Sequence, residues 1–192
     1  MGLMHEHNAE NTMQRYLSAR FQSTPYSENS RFLVLDETIT FNDDSKNHYT
    51  LVLHRGAVAV IPIIEDTVIF VRQYRHAVKE ITIEWPAGLV DENESWETAA
   101  NRELMEEVGY KANKLTYLKK IYSTPGFTNE AIHLFLGEEL EKSPKTGDDT
   151  HEIDCVKVPI ATAISQEFMN TILDSKTLIG LYTLKSYVQK LT

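Results

Sequence analysis

Gly88-Leu89-Val90-Asp91-Glu92-Asn93-Glu94-Ser95-Trp96-Glu97-Thr98-Ala99-Ala100-Asn101-Arg102-Glu103-Leu104-Met105-Glu106-Glu107-Val108-Gly109-Tyr110 is the stretch on which the reading of this chain turns. Its middle is helical by composition, and the spacing predicts a helix over Ser95–Val108 with Gly109 as its natural stop. On such a helix Trp96, Ala100, Leu104 and Val108 form an i, i+4 line that can face a core. Glu103, Glu106 and Glu107 fall within an arc of about 100° on another side. Like charges four residues apart repel, and negative charge near a helix C-terminus opposes the macrodipole. Two local rules are broken in one place, which marks a functional site more often than an accident. Hard divalent cations would remove the conflict, and magnesium favours a few carboxylates together with substrate phosphates. The plainer alternative is a solvated acidic helix face.

The register of the glycines, Arg102 and the glutamates resembles the Nudix box, the signature of the Nudix hydrolase family. Every invariant position of that box is matched, and the one soft departure is Tyr110, where the family usually has an aliphatic residue. The resemblance implies an α/β (α+β) fold: a mixed β-sheet sandwiched between helices, with the boxed loop and helix carrying the chemistry. It further implies that water attacks a pyrophosphate held by divalent metal, Mg2+ with Mn2+ as a possible substitute. In this reading Glu103 and Glu107 are the leading metal ligands, Glu106 is the third member, and the main-chain carbonyl of Ala87 completes the shell. Gly88 would permit close backbone approach. Glu94 and Arg102 look structural, since a guanidinium among carboxylates can orient them through paired hydrogen bonds.

Features outside the box bear on the substrate. Ser123-Thr124-Pro125-Gly126-Phe127, Val71-Arg72-Gln73-Tyr74-Arg75 and Glu84-Trp85-Pro86-Ala87-Gly88 resemble the ADP-ribose pyrophosphatase branch, which overlaps with enzymes for GDP-mannose and other nucleotide sugars. The branch implies Arg75 as a phosphate-holding side chain, which suits an ever-charged, forked guanidinium. A surface arginine ending a strand is the alternative. Pro125, Phe127 and Trp85 are candidate substrate contacts. Trp85 lies in an apolar run, where core packing competes with stacking on a base.

Relatives of this branch draw the catalytic base from a loop before the last strand. Here that loop holds Asp148-Asp149-Thr150-His151-Glu152-Ile153. Glu152 is the favoured candidate, with Asp149, His151 and Glu106 as competitors. The implied reaction converts a nucleoside diphosphate sugar, ADP-ribose first, into a nucleoside monophosphate and a sugar 1-phosphate. GDP-mannose or a broad nucleotide-sugar range is the second choice. A sensing module that binds without turnover is a rival of another class, although such modules usually lose box carboxylates. An interaction domain using its acidic surface is a further rival.

The whole chain sets wider bounds. Its 192 residues suffice for one domain with an appendage, and 42% hydrophobic with 24% charged residues is ordinary for a globular protein. A net charge of −9 argues against a nucleic-acid partner. It suits a phosphate substrate only if a metal supplies positive charge. The single Cys155 excludes an internal disulfide framework. No apolar run approaches a membrane span and the first residues lack a signal-peptide core, so the cytoplasm is the expected compartment.

Along the chain, a short helix is expected near Met13–Phe21. Strands are expected at Arg31–Phe41 and Tyr49–His54, on either side of the turn-rich Asn42–Ser45. Residues 1–55 thus read as a small antiparallel β unit, and 56–192 as the catalytic domain. Relatives in the branch are homodimers, and the N-terminal unit would serve dimerisation. Further strands are expected at Ala57–Ile64, Val68–Arg75, Ile81–Trp85, Leu115–Tyr122, Ala131–Leu136 and Ile153–Val158. Glu138–Thr150 reads as a long loop, and Pro159–Asn170 and Thr177–Lys190 as helices.

Overall fold

The computed structural model describes residues 15, 18–28, 32–144 and 153–189. Its contacts divide the chain into two units. One comprises residues up to His54 together with Thr124–Asn129; the other comprises Arg55–Ser123 and Glu130 onward.

The first unit is a three-stranded antiparallel sheet in the order β1 (Arg20–Glu28), β2 (Phe32–Thr40), β3 (Lys46–His54). The β2–β3 hairpin closes through a tight turn in which Asp44 takes a positive φ of 60°. Asp43 accepts from the Ser45 hydroxyl at 2.6 Å and its N–H at 3.1 Å, the local bonding that makes aspartate a turn former. Thr124–Asn129 joins this unit by main-chain pairing with β3: the Val52 N–H donates to Phe127 O at 2.8 Å, and the His54 N–H to Asn129 Oδ1 at 2.6 Å. β1 replaces the later part of the helix expected near Met13–Phe21; the earlier part lies mostly outside the described residues.

The second unit holds seven strands on the path β10–β5–β4–β9–β8, with β6 paired to β5 and β7 to β4. They are β4 (Ala57–Ile64), β5 (Thr67–Arg75), β6 (Glu80–Glu84), β7 (Ala87–Leu89), β8 (Tyr110–Tyr122), β9 (Ala131–Lys142) and β10 (Asp154–Pro159). β4 and β9 run parallel and the other pairs antiparallel, so the sheet is mixed. β4 is paired with β7 along its first half and with β5 only at its last two residues, so the sheet forks where β7 enters.

Alternation along the central strands fills two cores. Val58, Val60, Ile69, Val71 and Phe135 face helix α1 (Trp96–Val108) with its Ala99, Ala100 and Leu104. Ala59, Ile61, Val68, Phe70, Leu134 and Leu136 face the other way, with residues of α2 (Ile160–Ala163), α3 (Gln166–Met169) and α4 (Ser175–Gln189). The result is the helix–sheet–helix sandwich expected. No helix among the described residues is long and apolar enough to cross a membrane.

The structure departs from the expected elements in three further places. β9 runs on to Lys142 through what read as the start of a loop, because β8 begins directly after Gly109 and offers it a partner. Leu140 pairs with Ala112, and Lys114 neutralises Glu138 at 2.7 Å. The helix expected over Pro159–Asn170 is two single turns. Ser165 starts the second by accepting the Phe168 N–H at 3.2 Å, the competing local bond that serine offers a backbone. Trp96 is not core: it lies half-exposed, stacked on His133 at 3.9 Å.

Candidate active site

Helix α1 is bounded as its sequence dictates. The Ser95 hydroxyl accepts the Thr98 N–H at 3.1 Å, and Gly109 closes the helix with a φ of 77°, the left-handed conformation that glycine adopts without strain. Ala99, Ala100, Leu104 and Val108 anchor the helix, which fixes where its acidic side points.

Arg102 organises the approach to that side. Its guanidinium donates to both carboxylate oxygens of Glu94 (3.0 and 2.9 Å) and to the Leu89 carbonyl (2.8 Å). It also donates to Glu103 at 2.6 Å and Glu106 at 3.3 Å. Glu94 in turn accepts the Asp91 N–H at 3.1 Å. Hydrogen bonds from Arg102 hold the Glu94 carboxyl below its ordinary range despite some burial. One cation thus closes the loop Leu89–Glu94 onto the helix and turns two glutamates inward.

Glu103 is buried against Gly88. A Cβ on that glycine would lie 2.1 Å from the Glu103 carboxylate, so only glycine lets strand and side chain meet. Glu107 reaches the same backbone, accepting the Ala87 N–H at 3.0 Å. Burial pushes the Glu107 carboxyl up to about 8, against the hydrogen bond from Ala87; the Glu103 charge adds to the rise, while Lys176 and Arg75 oppose it. Burial also raises Glu103, and Arg102 only partly offsets it. A buried and a half-buried glutamate therefore share a pocket of backbone with too little positive charge. As the side chains stand, no group of three or more His, Cys, Asp or Glu among the described residues converges on a metal-binding point. The donor chemistry nevertheless fits a hard divalent cation: oxygen ligands, excess negative charge, and a backbone cradle left open by Gly88.

A second polar cluster adjoins the first, and the sequence reading did not anticipate it. Glu84 is buried (2% exposed) yet charged, accepting from Arg75 Nε and Nη2 (each 2.6 Å), Thr82 Oγ1 (2.6 Å) and Lys176 Nζ. Burial alone would raise its pKa, but the hydrogen bonds and charges of Arg75, Lys176 and Thr82 outweigh that and bring it to about 2. Lys176 also pairs with Asp174 at 3.1 Å. The available signal was an acidic residue between Ile83 and Trp85 in an otherwise apolar strand end.

Arg75, expected to hold phosphate, is about half exposed, and its guanidinium interacts with the charge of Glu107 as well as with Glu84. Trp85 is a correction. It is fully buried and stacked on Phe70 at 4.2 Å, and its Nε1 donates to the Thr177 carbonyl at 3.0 Å. Its ring is committed to the core and is closed to a base or ribose. Pro125 and Phe127 lie in the segment that pairs with β3 in the first unit, with Phe127 exposed. Glu152, His151 and Asp149 lie outside the described residues. The second unit thus gathers Arg75, Ala87, Gly88, Glu103, Glu106 and Glu107 at the junction of β7 with α1.

The NUDIX domain model matches residues 53–177, and the chain belongs to the Nudix family. An ADP-ribose pyrophosphatase of Bacillus subtilis is 35% identical over 130 residues, which span 66% of this chain and 70% of that one. A methanol dehydrogenase activator of Bacillus methanolicus is 34% identical over 138 residues, 70% of this chain and 75% of that one. The crystal structure of an ADP compounds hydrolase superposes with a TM-score of 0.80 at 24% identity, covering 91% of this chain and 96% of that one, which establishes the shared fold.

Proposed function

We propose that this Nudix pyrophosphohydrolase cleaves the diphosphate of a nucleoside diphosphate sugar in a divalent-metal-dependent reaction, with ADP-ribose as the first candidate and GDP-mannose or a broader nucleotide-sugar range as the second. The observation that carries the reading is the cradle at Gly88, where Glu103 is buried against backbone that only glycine leaves open and the half-buried Glu107 accepts the neighbouring Ala87 N–H. Glu103, Glu107, Glu106 and the Ala87 carbonyl are the groups that would hold Mg2+ or Mn2+. The cation would neutralise the diphosphate and activate water, chemistry in which positioning and charge stabilisation supply most of the rate. Arg102 keeps Glu103 and Glu106 inward. Arg75 binds a phosphate oxygen with the part of its guanidinium that Glu84 leaves available.

Glu152 remains the proposed base, with Asp149, His151 and Glu106 as competitors; Glu106 is only partly exposed and is tied to Arg102 at 3.3 Å. For ADP-ribose the products are AMP and ribose 5-phosphate rather than a 1-phosphate, since its diphosphate is carried on the ribose C5. Pro125 and Phe127 remain proposed substrate contacts, and a homodimer assembled through the N-terminal sheet remains the proposed assembly. The test is release of AMP from ADP-ribose with and without magnesium, alongside Glu107→Gln. Magnesium-dependent release that the variant loses supports the reading. Tight binding of the nucleotide sugar with no turnover by the wild type would favour the sensing module instead.

A further inference from the structure

We infer that Lys176 is a positioning residue for the substrate's diphosphate: it fixes Glu84, and Glu84 in turn holds Arg75 facing the acidic cluster. The inference rests on the functional reading above, because it supposes that Arg75 meets a phosphate. Lys176 is only 8% exposed, and a lysine is seldom buried unless partnered. Its place also runs against its own helix. It is the second residue of α4, where positive charge opposes the macrodipole, and Asp174 already serves that end by accepting the Thr177 N–H at 2.9 Å and its hydroxyl at 2.6 Å. Asp174 gives the lysine one local partner at 3.1 Å, and Glu84 supplies the second, fully buried one.

The geometry of Glu84 says what the lysine accomplishes. One carboxylate oxygen accepts from Arg75 Nε and Thr82, the other from Arg75 Nη2 and Lys176. The fork of Arg75 is thereby gripped along one edge, and the carboxylate that grips it is itself held by Lys176 at one oxygen and Thr82 at the other. The guanidinium, about half exposed, lies within electrostatic reach of Glu107. Remove Lys176, and Glu84 keeps only the half-exposed Arg75 and Thr82. Arg75 then samples several orientations, and ordering it again is a cost met at each binding event. The same lysine links α4 to the end of β6, from which Trp85-Pro86-Ala87 leads into the cradle. Thr177 reinforces that link by accepting the Trp85 N–H at 2.9 Å.

The test is a double-mutant cycle read by calorimetric binding of ADP-ribose in EDTA, so that no turnover intervenes. Wild type, Lys176→Met, Arg75→Ala and the double variant are compared. Loss of a charge-assisted hydrogen bond that acts through Arg75 predicts about tenfold weaker binding for Lys176→Met and less than about twofold further weakening once Arg75 is absent. Equal weakening in both backgrounds, or none in either, overturns the inference, since a purely structural role would not be coupled to Arg75. Lys176→Gln, which keeps a donor without the charge, guards against misfolding. Should both Lys176 variants fail to fold, Lys176 is a folding residue and the inference fails. AMP release by the wild type with magnesium is scored separately. Coupling without hydrolysis sinks the enzymatic reading alone. Hydrolysis without coupling, including a wild type that binds no ADP-ribose in EDTA yet releases AMP with magnesium, sinks this inference alone. A wild type that neither binds ADP-ribose nor releases AMP with magnesium sinks both the ADP-ribose reading and this inference.

Discussion

Gly88→Ala is the substitution that separates the chemistry of this site from its stability. The added methyl would sit 2.1 Å from the Glu103 carboxylate. Ordinary contact needs about 3.5 Å, so the carboxylate must retreat by about 1.4 Å. The obstacle is the far end of a flexible side chain rather than backbone, so the fold survives. The retreat strains or breaks the 2.6 Å hydrogen bond from Arg102, a charge-assisted contact worth roughly 1.5–3 kcal/mol. For a chain of this size that is a fall in Tm of roughly 3–12 °C. The catalytic effect is larger in proportion, because a misplacement of about 1 Å in a positioning group costs on the order of 100-fold in rate. The expected result is a folded protein, by circular dichroism and a single cooperative melt, whose kcat for magnesium-dependent hydrolysis of ADP-ribose falls about 100-fold. Full activity in Gly88→Ala would refute the reasoning, because it would mean that the position of Glu103 is irrelevant to turnover.

Two other perturbations follow from the buried network behind the site. Gly180→Ala would place a methyl 2.1 Å from Trp85 Nε1, in a fully buried setting. Overpacking of this kind costs about 1–3 kcal/mol, and displacing the indole also costs its bond to Thr177, so thermal melts should show a loss larger than that of a surface Gly→Ala. Glu84 should make stability depend on acid. Its carboxyl is held at about 2 in the fold against an ordinary 4.5, so its stabilisation is fully present above about pH 4.5 and is lost as pH falls toward 2. The size is on the order of 2–3 kcal/mol, the shift converted and discounted for the half-exposed Arg75. Urea melts between pH 3 and 6 should show this slope in the wild type, and its persistence in Glu84→Gln would exclude Glu84 as the source.

The elements were legible wherever a segment carried its own period. Ala57–Ile64 was read to the residue, because β4 is buried on both faces and bounded by turn residues. Helix α1 was read to within a residue, because Ser95 and Gly109 are written into the chain as caps. Pairing partners were not legible. β8 and β9 stabilise each other through Lys114–Glu138 and Leu140–Ala112, and neither polar half announces a strand alone. Where a local hydrogen bond competed with a longer element, as at Ser165, the pattern of apolar residues did not reveal which would prevail.

The site was legible for a different reason. A helix that gathers Glu103, Glu106 and Glu107 on one side near its C-terminus contradicts its own local physics, and the contradiction is visible in a single sequence. The structure locates the conflict more narrowly. Arg102 answers Glu94 and bonds Glu103 and Glu106, although it only partly offsets the burial of Glu103. The larger shortfall is at Glu107, whose carboxyl burial pushes up to about 8 and which Arg102 does not reach. Its partner is a neutral N–H on the strand that carries the Gly88 cradle, and the cations Arg75 and Lys176 are bound first to Glu84. Those cations belonged to a strand end and to the start of a distant helix, so nothing in the period of either element connected them. Their meeting depends on β6 and α4 packing together, a consequence of the tertiary fold. The box therefore announced where charge is in excess, whereas the fold decides which nearby cations are already committed and leave that excess for a ligand to satisfy.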